Sequence, residues 1–261
     1  MHQIKIFHQI KSILFFFQLG ETLLEKVYLN NNYIDSEEKE IKMFQKIMEM
    51  KKLKELKIDL LFFSQDNFKQ IQGENSIVEK LIINFRNING NKIILNEIQK
   101  KFPNLKEFHI YVKSNSYNYN QTSEIDISEN DNCKINSFKF SGYKSSSTTT
   151  FYIVPFDKLI NIEFGRINPS LFNFEKSLPL FTNKCNYIFR SLKSFKLVTN
   201  TTDYIPHYLI NLSINAIKNI IDNLDKMPNL ETLIIKTFCS IDQKIYMNII
   251  EKLQLSNIKN I

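Results

Sequence analysis

Five glycines are scattered along 261 residues, as Gly20, Gly73, Gly90, Gly142 and Gly165. Neither G-x-G-x-x-G nor G-x-x-x-x-G-K-[ST] can be built from them, which excludes the commonest phosphate-cradling loops. Trp is absent, Ala occurs once (Ala216), and Arg occurs three times (Arg86, Arg166, Arg190) although Lys and Arg together number 34. These shortages fall on residues with GC-rich codons and point to an AT-rich genome instead of selection for chemistry. The formal charge of +7 is therefore carried by scattered Lys mixed with Glu. A nucleic-acid reader concentrates Arg forks and a basic stripe, so the composition argues against nucleic acid as the partner.

Cysteine is scarce as well. Cys133, Cys185 and Cys239 stand far apart with no C-x-x-C pair. An odd number without a spacing framework reads as reduced thiols, and so as a cytoplasmic, intracellular protein. Cys185 shares an apolar stretch with Tyr187, Ile188 and Phe189 and is expected to be buried. The four histidines (His2, His8, His109, His207) form no H-E-x-x-H, and no local set of N and S ligands has zinc spacing. Glu124, Asp126, Glu129 and Asp131 lack the spacing and the glycine of a calcium loop. Sequons at Asn120, Asn200 and Asn211 are what an Asn-rich chain produces by chance. The apolar run in "SILFFFQLG" breaks at Gln18, too short for a signal peptide core or a membrane span. Ile6, Ile10, Ile13 and Phe17 fall at helical spacing instead, predicting a helix or cap over residues 1–20. No catalytic, cofactor-binding or metal-ligating set emerges. The expectation is a protein that is not an enzyme, has no cofactor and does not enter the membrane.

What the chain does have is a repeat. The pattern apolar-x-x-apolar-x-apolar occurs at Leu24/Val27/Leu29, Leu53/Leu56/Ile58, Val78/Leu81/Ile83 and Leu105/Phe108/Ile110. It returns at Ile135/Phe138/Phe140, Leu159/Ile162/Phe164, Leu192/Phe195/Leu197 and Leu230/Leu233/Ile235. Successive first positions are 29, 25, 27, 30, 24, 33 and 38 residues apart, and Leu255 and Ile258 begin another unit. The intervening residues are mostly polar, so each match predicts a short strand with one buried and one wet face. Helical stripes fall between strands: Ile41/Phe44/Met48, Ile94/Ile98/Phe102, Ile217/Ile220/Ile221/Leu224 and Ile245/Ile249/Leu253. Asp35 with Glu38, and Ser240 with Gln243, fit capping boxes, and Pro228 stops the third helix. "FPNL" and "MPNL" mark turns from a helix into the next strand.

In "LLEKVYLNNNYI", Leu24, Val27, Leu29, Asn32 and Ile34 fill every position of L-x-x-L-x-L-x-x-N-x-L. Residues 21–261 resemble the leucine-rich repeat family in its longer, helix-containing, ribonuclease-inhibitor-like variety. The resemblance implies an α/β solenoid, a horseshoe of about eight repeats with parallel strands on the concave face and irregular helices on the convex face. Asn200 holds the family's Asn position in the seventh repeat and Cys239 sits one residue late in the eighth. Leu61, Arg86, Lys113, Tyr143 and Ile167 depart from it, which implies a less regular solenoid. Residues 114–132, 144–150 and 199–212 lack helical stripes and are expected as loop insertions. The C-terminal end offers no polar cap, so it is expected either to continue in a longer protein or to dock on something.

The wet positions of the strands should align as columns. One is Tyr28, Lys57, Ile82, His109, Lys139, Glu163, Lys196 and Ile234; the next is Asn30, Asp59, Asn84, Tyr111, Ser141, Gly165, Val198 and Lys236. Lys57, His109, Lys139 and Lys196 make a mildly basic stripe, with Tyr28 and Tyr111 as aromatic anchors. The resemblance implies that such a face binds a protein, here through Tyr28, Lys57, His109, Tyr111, Lys139, Glu163, Lys196 and Lys236, and the basic stripe leads to the expectation of an acidic protein segment as its partner. Two other readings stand beside this interaction or scaffold module. One is the substrate-recognition part of a larger ubiquitin-ligase-type adaptor; the other is a Lys-mediated nucleic-acid binder.

Overall fold

Alternating apolar and polar residues, as in Glu55–Leu60 (ELKIDL) and Ser194–Thr199 (SFKLVT), give a segment one oily and one wet edge. In the computed structural model these segments are strands. The structure describes residues 3–6, 24–29, 36–60, 65–85, 92–113, 123–127, 134–143, 149–153, 158–167, 185, 188–199, 207–237, 243–254 and 258.

Nine strands form one open sheet. They are β1 (Gln3–Ile6), β2 (Lys26–Leu29), β3 (Glu55–Leu60), β4 (Lys80–Phe85), β6 (Glu107–Lys113), β8 (Ser137–Tyr143), β10 (Asn161–Ile167), β11 (Ser194–Thr199) and β12 (Thr232–Lys236), paired in that order. Every pairing is parallel. Among the described residues five helices lie between or after the strands: α1 (Glu37–Met48), α2 (Gln65–Gln70), α3 (Leu95–Lys101), α4 (His207–Asp222) and α5 (Gln243–Gln254). This is a repeated α/β architecture built on one open nine-stranded parallel sheet, compatible with a solenoid.

The register matches the spacing of the repeat. Val27, Leu56, Leu81, Phe108, Phe138, Ile162, Phe195 and Leu233 stand abreast across eight strands. All are buried, as are the first and third apolar positions of each repeat except Ile235, which is partly buried against the same core. Phe108, Phe138, Phe164 and Phe195 run through the middle of this layer with neighbouring ring centroids 6.2–6.4 Å apart.

Each junction between repeats is made the same way. The oxygen of Glu25 accepts from the amides of both Lys54 and Glu55, at 2.8 and 3.0 Å. Lys54, Glu79, Lys106, Asn136, Ile160 and Lys193 in turn each accept the amides of the residue just before the following strand and of that strand's first residue, giving seven equivalent junctions at 2.7–3.1 Å. Ahead of the strand sits a turn in which the Leu105 amide donates to Phe102, Leu192 to Phe189 and Leu230 to Met227. Pro103 and Pro228 occupy its second position, where a fixed φ suits the bend. The adjoining Asn side chains clip it to the preceding repeat: Asn104 donates to the Ser76 oxygen at 2.7 Å and Asn229 to the Arg190 oxygen at 2.6 Å.

The first residue of that turn is a further buried position, filled by Met50, Phe102, Phe189 and Met227. Asn75 takes it in the third repeat and is just as buried, at 3% exposure. Its amide donates to the oxygens of Ile47 and Met50, both at 2.9 Å, and its own oxygen accepts the Ile77 amide at 3.0 Å. A buried polar group is tolerated because every bond is made.

Several expectations change. Gln3–Ile6 is a strand and not part of a helix, with Ile4 beside Val27 and Ile6 beside Leu29; residues 7–23 lie outside the described residues. Alternation in QIKI outweighs the wider helical spacing. A second parallel sheet joins β5 (Lys92–Ile94), β7 (Ser123–Ile127) and β9 (Thr149–Ile153). Two of these strands fall in segments expected as the loops 114–132 and 144–150, where SEIDI and TTFYI carry β-branched and aromatic residues. Part of 199–212 also differs, because α4 begins at His207. Ile94 belongs to β5, although Ile98 and Phe102 are buried as the stripe predicts. The first capping box does not form: Ser36 is the N-cap, makes no side-chain cap bond, and Glu38 pairs with Lys42. Asn30, Asn32, Asn200, Cys133, Cys239 and Ser240 lie outside the described residues.

Replacing Asn75 by Met, an apolar residue used at this position elsewhere, removes the side-chain bonds to the Ile47 and Met50 oxygens and from the Ile77 amide, although the Ile47 oxygen keeps its bond from the Met50 amide. Chemical denaturation should show a loss of about 1–3 kcal/mol. A gain in stability would mean that apolar filling, not the three hydrogen bonds, governs the position.

Candidate functional site

The sheet face opposite the core carries the wet positions. In the first column Tyr28, Lys57, Ile82, His109, Lys139, Glu163, Lys196 and Ile234 stand abreast on eight strands, all half-buried. In the second, Asp59, Asn84, Tyr111, Ser141 and Gly165 align, and Val198 faces Lys236. A register irregularity in β10 between Phe164 and Ile167 interrupts the second column before β11.

At the centre, one carboxylate oxygen of Glu163 holds two lysines. Lys139 Nζ and Lys196 Nζ each stand 3.0 Å from Oε1, reaching it from the strands on either side. Burial is the largest single influence on the Glu163 carboxyl and pushes it up. The bonds and charges of Lys196 and Lys139 together outweigh burial and hold it below the ordinary carboxylate range. Lys139 Nζ also lies 6.0 Å from the centre of the Tyr111 ring, close enough for a weak cation–π attraction. The ammonium is pushed up despite its burial, chiefly through its bond to Glu163.

His109 sits beside this trio with Nε2 3.7 Å from Glu107. Burial lowers its basicity most, and the charges of Lys80 and Lys139 lower it further, against Glu107 and Glu163. The imidazole is therefore neutral near neutral pH and adds no charge to the stripe. Glu107, His109, Ser137, Lys139, Glu163 and Lys196 border a solvent-open depression of about 430 Å³.

The eight residues expected on the face fare differently. Lys139, Glu163 and Lys196 come into direct contact, with His109 and Tyr111 next to them. Tyr28 turns to the edge and donates to Glu55 Oε1 at 3.0 Å, in the carboxylate that also holds Lys26 at 2.8 Å. Lys57 and Lys236 form no ion pair among the described residues.

Sequence reasoning missed the row just before these columns. Lys26 meets Glu55, Lys80 meets Glu107 at 3.1 Å, and the preceding residues reverse the signs: Glu25 faces Lys54 and Glu79 faces Lys106 at 2.7 Å. The signal was present as the alternating dipeptides EK, KE, EK and KE at residues 25–26, 54–55, 79–80 and 106–107. A slip of one residue would bring Lys26 against Lys54, so the charges oppose misregister as the apolar alternation does.

Chemically, the face offers paired ions, a neutral imidazole and two phenols. Cys185 is buried, as its apolar surroundings predict, and takes part in no disulfide. Among the described residues no three His, Cys, Asp or Glu side chains converge as a metal site, and no helix is long and apolar enough to cross a membrane. No family model, curated protein or solved structure matches the chain.

The depressed basicity of His109 has a pH signature. Between its ordinary value and its lower folded value the unfolded chain binds a proton that the folded chain does not, so stability falls as pH drops. The contributions of Glu55 and Glu163, whose folded values are lowered, are lost only in more acid solution, below about pH 4.5. Urea midpoints measured from about pH 7 to 5.5 should fall for the native chain and fall less for His109→Gln. Identical slopes would remove His109 as the source.

Proposed function

We propose that the chain is a non-catalytic interaction module of leucine-rich-repeat type, in the ribonuclease-inhibitor-like variety, which docks a protein segment on the concave face of its sheet. The observation that carries this reading is the division of labour along every strand. Apolar residues serve the core, while the opposite positions form a mostly polar, half-buried face, interrupted by Ile82, Val198 and Ile234, that borders a depression. Such a face presents side chains from consecutive repeats to one extended ligand. Tyr111 supplies a rigid aromatic surface, and Lys57 supplies a cation with no ion-pair partner among the described residues.

An acidic segment suits this face better than nucleic acid. Most of its lysines are already matched one-to-one with carboxylates across strands, which removes them from a phosphate-neutralising stripe. The excess positive charge is local, at Lys57, Lys236 and the Lys139–Glu163–Lys196 trio.

A photo-reactive residue placed at position 57 or 111 of the purified chain should crosslink to a protein partner from the source cell. Lys57→Glu with Tyr111→Ala should abolish capture of that partner, whereas Tyr246→Ser with Met247→Ser, at exposed positions of α5, should leave it intact. Loss of capture only with the α5 pair would move the interface to the helices.

A further inference from the structure

Elsewhere on the wet face each pairing is one lysine to one carboxylate: Lys26 with Glu55, Lys80 with Glu107, Lys106 with Glu79, Lys193 with Glu231. Among the described residues, two lysines share one carboxylate only at Glu163, and both use the same oxygen, Oε1. Each ammonium has three donors, so the trio holds one surplus positive charge and N–H groups that Oε1 does not use. It borders the depression, where a ligand would have access, and its side chains remain 26–34% exposed.

We propose that Lys139 and Lys196 form the carboxylate-binding subsite of this face, and that Glu163 is its internal competitor, occupying the place that an Asp or Glu side chain of the partner takes on docking. This rests on the interaction reading above and adds to it the ligand chemistry and a specificity-determining residue. A partner carboxylate reaching the lysines gains two charge-assisted hydrogen bonds but must share or displace those of Glu163. Affinity for a single acidic side chain is accordingly held down, and a segment bearing several would be favoured. The competitor also screens the two lysines from each other while the site is empty.

The probe is a fluorescein-labelled hexaglutamate peptide, followed by anisotropy at low salt, with hexaglutamine as the neutral control. Glu163→Gln keeps the size of the side chain and removes its charge. It should bind hexaglutamate about three- to fivefold more tightly than the native chain, the scale of one partly exposed ion pair. Lys139→Gln with Lys196→Gln should abolish that binding, while Lys51→Gln with Lys52→Gln, at exposed positions, should not. Unchanged or weaker binding by folded Glu163→Gln would overturn the proposal. Should that variant fail to fold, the native chain still decides it. Hexaglutamate, and not hexaglutamine, should shift the amide resonances of Lys139, Glu163 and Lys196, and shifts confined to other residues would refute the subsite. Failure of the peptide with continued crosslinking through positions 57 and 111 would reject the carboxylate chemistry alone, whereas failure of both would reject the face.

Discussion

At each of the seven junctions between the eight repeats, one main-chain oxygen accepts the two amides at the entry to the next strand, from Glu25 with Lys54 and Glu55 through to Lys193 with Glu231 and Thr232. The rest of the structure depends on this shared acceptor. It fixes the start of each strand against the previous one, so the apolar positions coincide across the sheet whatever the length of the intervening segment. A loop or helix of variable size can then be accommodated, as the spacing of 24 to 38 residues requires, because only the turn and strand must superpose. The Asn104 and Asn229 clips secure the same turn from the side, and Asn75 does so from within.

Once register is fixed, the chemistry of the wet face follows from it. Glu163 holds Lys139 and Lys196 because β8, β10 and β11 bring positions 139, 163 and 196 abreast. The alternating Glu and Lys of the first four repeats pair for the same reason. Charge that looks basic by composition is thus largely neutralised between neighbouring strands, and what remains is concentrated at a few positions. Half-burial matters here: it makes His109 a poor base and leaves the trio accessible but not fully hydrated.

Much of this was legible in the sequence. The apolar positions could be read because strand periodicity and burial are local, and the columns followed because a parallel stack leaves little freedom of register. Other features depended on competition between signals. In MHQIKI the pattern M-x-x-I-x-I fits the repeat, yet Ile6, Ile10 and Ile13 also fit a helix, and Gln3–Ile6 pairs as a strand. Ser123–Ile127 and Thr149–Ile153 were hidden by the Ser, Thr and Asn around them, and their pairing in a second sheet needs partners that sequence order alone does not name. Asn75 gave no local signal, because its bonds go to Ile47 and Met50, a full repeat away. Glu163 was recognisable as a face residue, but its hold on two lysines required three strands in place.

Amide hydrogen exchange followed by NMR tests the shared-acceptor ladder most directly. The amides of Lys54, Glu55, Glu79, Lys80, Lys106, Glu107, Asn136, Ser137, Ile160, Asn161, Lys193, Ser194, Glu231 and Thr232 should all be protected, in pairs, at every junction. Rapid exchange at the junctions flanking β8 and β10, with protection only toward the helical ends, would contradict a continuous repeated sheet.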